Sequence, residues 1–97
     1  GQKISAGLTI SFEDATDLLR LLTGSRLDVL RAAKALPGSI SDIAQRLQRD
    51  RSAVKRDLDA LAQAGLVQFE SKTLAGHGQM KEVSVTAKRF RLQADLA

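Results

Sequence analysis

Residues 38–70 read GSISDIAQRLQRDRSAVKRDLDALAQAGLVQFE. Side-chain chemistry alone bounds two helices in this stretch. Ser39 can accept a bond from a free backbone N–H of a first turn, while Asp42, three residues on, reaches back to close a capping box. Pro37 and Gly38 mark the boundary before it. Ile40, Ile43, Ala44 and Leu47 then fall at i, i+3, i+4 and i+7, which sets one apolar stripe against a core and leaves Asp42, Gln45 and Arg46 outside. Asp50 starts the next helix as a favoured N-cap whose charge suits the positive helix terminus, so only Gln48 and Arg49 remain for the connection. This second helix packs through Val54, Leu58 and Leu61. On its opposite face, at about 100° per residue, stand Ser52, Arg56 and Asp59, with Arg51 and Lys55 on the flanks near its N-terminal end. Gly65 is suited to the left-handed conformation just past the helix, letting Leu66 fold back on Leu61. Leu66 to Glu70 reads as a strand.

The pattern is a helix-turn-helix followed by a wing, and the remaining chain extends it. Lys3 to Phe12 alternates, with Ile4, Ala6, Leu8, Ile10 and Phe12 on one side, as a half-buried strand would. A helix is expected from Ser11, with Asp14 completing a second capping box and Ala15, Leu18, Leu19 and Leu22 forming its apolar stripe. Thr23 or Ser25 opens a further helix through Leu27, Val29, Leu30, Ala33 and Leu36. Beyond Glu70, a loop from Ser71 to Gln79 contains Gly76-His77-Gly78, and Met80 to Ala87 returns as a hairpin strand with Val83 and Val85 on one face. Phe90, Leu92, Ala94 and Leu96 alternate with Arg89, Arg91, Gln93 and Asp95 in a last strand. The expected fold is α+β, mainly α: an N-terminal strand (3–12), four helices, a helix-turn-helix at 39–65, a β-hairpin wing at 66–87 and a C-terminal strand (89–96). The two terminal strands need partners for their backbone groups, either in each other or across a dimer.

Ninety-seven residues with no long linker and no repeat suggest one domain, 1–97, large enough for a modest core. The absence of cysteine excludes disulfides and thiolate zinc sites and favours a cytoplasmic location. No apolar run approaches the roughly 18 residues of a membrane span, and no signal-peptide pattern precedes the fold. Fifteen basic residues against eleven acidic ones give +4, a mild excess whose distribution is more telling. Arg46, Arg49, Arg51, Lys55 and Arg56 cluster around the capping Asp50, and Lys88, Arg89 and Arg91 form a second group. Such charges in isolation are what a solvated helix face carries. Within a helix-turn-helix they fall where a recognition helix holds its base-reading and phosphate-reading side chains. Lys72 and Lys81 can point at a phosphate backbone from the wing.

A single histidine, no cysteine, no Gly-rich phosphate loop and no two-histidine metal spacing argue against an enzyme and give no candidate for a metal or cofactor. Phe12, Phe69 and Phe90, the only aromatics, fall on apolar faces, as core residues rather than a base-stacking platform.

From Leu22 onward the chain resembles the winged helix-turn-helix regulators of the MarR/ArsR-like superfamily. The resemblance is carried by Leu22-Thr23, Arg26-Leu27 and Leu30-Arg31, then by Ser39 to Leu47, and finally by Val54 to Leu58 with Ala60-Leu61 and Ala64 to Val67. It is strongest toward small single-domain regulators of archaea and bacteria, in which a strand-like segment leads into a Phe-Glu-Asp-Ala stretch, here Phe12 to Ala15. The chain departs from the pattern at Gln48, where the wider family usually has glycine. The resemblance implies a homodimeric repressor that places two recognition helices in successive major grooves of double-stranded DNA. By position it assigns Arg51, Ser52, Lys55 and Arg56 to recognition-helix contacts and Lys72, His77 and Lys81 to the wing; Ser39, Arg46 and Arg49 are expected on the DNA backbone beside them. Larger members carry dimerisation helices that this chain lacks, which makes Ile4, Leu8, Ile10, Phe90, Leu92 and Leu96 of the terminal strands the substitute interface. The competing expectation is a protein-binding winged helix, above all a DNA-binding antitoxin with a cognate toxin as partner.

Overall fold

Short polar side chains write the helix starts of this chain, and the computed structural model, which describes residues 4–76 and 78–96, puts each at its cap. The order is β1 (Leu8–Phe12), α1 (Ala15–Leu21), α2 (Gly24–Ala35), α3 (Ile40–Leu47), α4 (Arg51–Gln63), β2 (Val67–Leu74), β3 (Gly78–Val85) and β4 (Phe90–Ala94). Thr23 Oγ1 accepts from the backbone N–H of Arg26 at 3.3 Å to start α2. The capping box of α3 is complete, with Ser39 Oγ accepting from Asp42 N at 3.0 Å and Asp42 Oδ2 accepting from Ser39 N at 3.1 Å. Asp50 Oδ2 takes the first free N–H groups of α4, those of Ser52 and Ala53, at 3.1 and 3.3 Å. No helix among the described residues is long and apolar enough to cross a membrane.

The helical stripes meet where their spacing predicts. Val29 and Ala33 of α2, Ile43 of α3 and Val54, Leu58 and Leu61 of α4 are fully enclosed with Leu66 and Val83. The end of α4 is a Schellman turn: Gly65 has φ +87°, its N–H reaches Ala62 O at 3.0 Å, and Leu66 N reaches Leu61 O at 2.9 Å. Glycine is required at Gly65 because an L side chain in that region strains the backbone. The wing is tied to the helices at Gly38, which exchanges backbone bonds with Val83 at 3.2 and 2.7 Å. A Cβ at Gly38 would stand 3.1 Å from Asp42 Oδ2 and 3.3 Å from Arg46 Nη2, so this close approach also favours glycine.

The wing hairpin is longer and tighter than the sequence spacing implied. β2 and β3 pair antiparallel from Val67↔Val85 to Leu74↔Gly78, so most of the expected 71–79 loop is strand, with a turn at 75–76. Positive φ at Gly76 and Gly78 supplies the tight reversal. At the other end, the helix expected from Ser11 begins at Ala15. Asp14 is the cap, its carboxylate accepting from Thr16 N at 2.8 Å, while Ser11 stays in β1 and its Oγ accepts from Gln93 Nε2 at 3.0 Å. With only seven residues, α1 has no fully buried side chain. Leu19 of its predicted stripe is 72% exposed, and Leu36, the C-cap of α2, is 60% exposed.

β1 and β4 are parallel neighbours within one chain, in register from Leu8↔Phe90 to Phe12↔Ala94. Parallel pairing demands a long crossover, which here is the four helices and the wing. Both strands are shorter than the 3–12 and 89–96 expected, although a parallel bridge at Ser5↔Ala87 extends the pairing. Leu8, Ile10, Phe12, Phe90, Leu92 and Ala94 share the half-buried face, with Thr9, Ser11, Arg91 and Gln93 on the other.

Leu58→Ala or Leu61→Ala should cost about 2–5 kcal/mol in chemical denaturation, the range for large-to-small core changes. Gln48, the one non-glycine with positive φ among the described residues (53°), should respond oppositely. Gln48→Gly should raise stability by up to about 1 kcal/mol, because the left-handed penalty of roughly 1–2 kcal/mol outweighs the freedom glycine adds to the unfolded chain.

Candidate nucleic-acid interface

Because Val54, Leu58 and Leu61 hold one side of α4 against the core, the helical repeat leaves Arg51, Ser52, Lys55, Arg56 and Asp59 exposed on the other. Their phase is set from both ends of the turn. Gln48 adopts the left-handed conformation, its N–H reaching Ala44 O and Gln45 O, and two residues later Asp50 caps α4. Arg51 is steered by α3, its Nε donating to Ser41 Oγ at 3.1 Å. Lys55 Nζ lies 2.8 Å from Asp59 Oδ2, one turn on. Arg56 has neither a side-chain hydrogen bond nor an ion pair among the described residues.

Between α4 and the wing runs an open groove of about 490 Å³. Arg51, Lys55 and Asp59 line it from α4, Ser39 and Ser41 from the start of α3, and Lys81 from β3, over a floor that includes Ile40, Phe69 and Met80. Ser39 Oγ accepts the one cap bond, from Asp42 N, and keeps its O–H as a donor. The second wing cation is engaged, Lys72 Nζ lying 3.1 Å from Glu82 Oε1. His77 lies outside the described residues.

Two arginines expected on a DNA backbone turn into the protein. Arg46 donates from Nη1 to Ala32 O at 3.0 Å and from Nη2 to Leu36 O at 2.7 Å, satisfying the carbonyls at the end of α2. Arg49 reaches back to Asp57, with Nη2 3.0 Å from Oδ2. Asp57 also faces Arg26, whose Nε is 3.4 Å from Oδ1 and whose Nη1 donates to Arg20 O and Leu21 O at 3.0 and 3.1 Å. The Arg49 contact is ionic rather than a well-aligned hydrogen bond, leaving Asp57 Oδ2 shielded from solvent and without a directional donor. This network was missed in the sequence, but the signal is there. Asp57 lies on the apolar stripe itself, with Val54, Leu58 and Leu61 at −3, +1 and +4, and a charge on a core stripe calls for buried partners.

Of the terminal-strand residues expected at a dimer contact, Ile10, Phe90 and Leu92 pack partly on the chain's own core. Leu8 is half-buried, whereas Ile4 and Leu96 are 43% and 86% exposed. Among the described residues no group of His, Cys, Asp and Glu side chains is arranged to hold a metal ion.

Comparison with known proteins points to the same architecture. The model of one protein family, HVO_A0114, matches residues 21–92. Among solved structures, a protein described as a possible transcriptional regulator from Methanosarcina mazei Go1 is 21% identical, with a TM-score of 0.58 over 73% of this chain and 64% of its own. Reduced HlyU from Vibrio cholerae N16961 is 23% identical, with a TM-score of 0.59 over 74% of this chain and 72% of its own. The transcriptional regulator SlyA, also 23% identical, gives 0.54 over 74% of this chain but only 49% of its own. At these identities the likeness is one of fold, that of the winged helix. No curated protein matches.

Asp57→Ala should lower unfolding stability by about 2–4 kcal/mol, somewhat below the ~3–5 kcal/mol typical of breaking a fully buried pair, because Arg26 and Arg49 are 27% and 29% exposed. Denaturation in urea measures it. A neutral substitution would mean that the two guanidiniums find water unaided.

Proposed function

We propose that this chain, which belongs to the HVO_A0114 family, is a sequence-specific double-stranded DNA-binding transcriptional regulator, a dimeric repressor that reads the major groove with α4. One observation carries the reading: the face of α4 that the core does not use holds Arg51, Ser52, Lys55 and Arg56 together, at the N-terminal half of the second helix of a helix-turn-helix. Arg51 and Arg56 have the planar fork that reads guanine O6 and N7 bidentately. Lys55, Lys81 and the Ser39 hydroxyl, with Lys72 released from Glu82, suit phosphate oxygens, which position a protein without reading sequence. Arg46 and Arg49 then act indirectly, by fixing α2, the turn and α4.

For the dimer, support comes from the terminal sheet, whose two strands each keep an unpaired edge, and from the exposed apolar side chains of Ile4, Leu19 and Leu96. Twofold pairing would set half-sites about 34–36 Å apart. Repression follows from occupancy of such an operator.

Selection of bound duplexes from a random pool, followed by anisotropy at fixed salt, tests the reading. Arg56→Ala and Lys55→Ala should weaken binding while leaving the thermal midpoint unchanged, and a bidentate arginine should account for about 1–3 kcal/mol of base discrimination. With roughly two or three phosphate contacts per subunit, a dimer should show a slope of log K against log salt of about −4 to −5. Unaltered affinity in both variants would overturn the assignment of α4. A salt-independent interaction would point instead to a protein partner, as expected of a protein-binding module or an antitoxin held by its toxin.

A further inference from the structure

Among the described residues Asp59 is the one carboxylate lining the groove, whose other charged side chains are Arg51, Lys55 and Lys81. It sits at i+8 from Arg51 and i+4 from Lys55, and its Oδ2 is 2.8 Å from Lys55 Nζ, with the two side chains 51% and 52% exposed. Such a pair does little for the fold. It is half in water, and its order, lysine N-terminal to the acid, is the less favourable one on a helix. A carboxylate facing a polyanion is repulsive unless it meets a donor. Resting on the duplex-binding reading above, we propose that Asp59 is a specificity-determining residue, penalising backbone-only binding and selecting cytosine at the base position it faces.

Guanine presents only acceptors, O6 and N7, in the major groove, and thymine presents O4 beside a methyl group. Adenine has the N6 amino donor but next to the N7 lone pair, which repels a carboxylate. Cytosine offers the N4 amino group beside a C–H, and it alone gives Asp59 a donor with no acceptor on the same base. On non-specific duplex, Asp59 has only phosphates to face and keeps Lys55 as its counter-ion. On a matched site it turns to the amino group and releases Lys55 to the backbone. Discrimination is built from repulsion as much as attraction.

The test compares the wild-type chain with Asp59→Asn, using random-pool selection and anisotropy on the selected and a scrambled duplex. Asp59→Asn should leave the thermal midpoint in place, abolish a cytosine preference at one position per half-site, and bind scrambled duplex about fivefold more tightly, with a slope steeper by about 0.9 per subunit. In a Lys55→Gln background Asp59→Asn should still relieve repulsion on scrambled duplex but should no longer steepen the slope, because no lysine is released. The inference is overturned if Asp59→Asn keeps the wild-type base preference and affinity ratio, or if it melts well below wild type, since Asp59 would then be structural. Wild-type protein that binds no duplex at low salt removes the duplex-binding reading as well, a result distinct from wild-type binding with an unaltered variant.

Discussion

A carboxylate enclosed between two guanidiniums, Asp57 with Arg26 and Arg49, is the constraint on which the setting of α4 depends. Apolar packing through Val54, Leu58 and Leu61 fixes the depth of α4 but tolerates small rotations and slides, because dispersion and burial are non-directional. The Arg26 contact is a directional hydrogen bond, and the Arg49 contact adds a short-range charge attraction. Arg26 joins Asp57 to the last carbonyls of α1, and Arg49 joins it to the turn and to Ser25 O at the start of α2. Two helices, α1 and α2, and the turn thus converge on one side chain of α4, so the azimuth of Arg51, Lys55 and Arg56 on the far side is set from within. The cost of removing charge from water is offset by partners that are themselves only partly enclosed.

Local chemistry carried most of the fold. The boundaries of α3 and α4 follow from Ser39, Asp42, Asp50 and Gly65, each of which satisfies a terminal backbone group through its own side chain or conformation. Those effects act within four residues and are visible in one sequence. The parts that were not legible depend on contacts distant in the chain. Ser11 looks as good a cap as Asp14 until the partner of β1 is known, because Gln93, far along the chain, takes its hydroxyl and keeps it in the strand. The hairpin was underestimated because polar residues such as Ser71, Lys72 and Thr73 read as loop, although a two-stranded ribbon exposed on both faces needs no apolar alternation.

The candidate site was legible in its phase but not in its charge state. Arg51, Ser52, Lys55 and Arg56 emerge on one face from helical periodicity alone. Positive charges counted along the chain do not reveal which are already spent. Arg46 closes α2, Arg49 compensates Asp57, Lys72 faces Glu82 and Lys55 faces Asp59. What remains for a partner is a narrower set than the run of basic residues suggests, concentrated between α4 and β3.

The parallel pairing of β1 with β4 has a consequence for biogenesis. A ribosome delivers β1 first and its hydrogen-bonding neighbour last, after every helix and the whole wing have emerged. Until then the backbone donors of Leu8 to Phe12 and the apolar side chains of that strand stay unmatched, so the nascent chain carries a sticky, unfinished edge while the intervening elements emerge. Closing a loop of this length is slow compared with forming the local helical contacts. The helix-turn-helix can therefore assemble before β4 closes on β1, and the interval between the two is the stage most exposed to capture by chaperones or by other nascent chains.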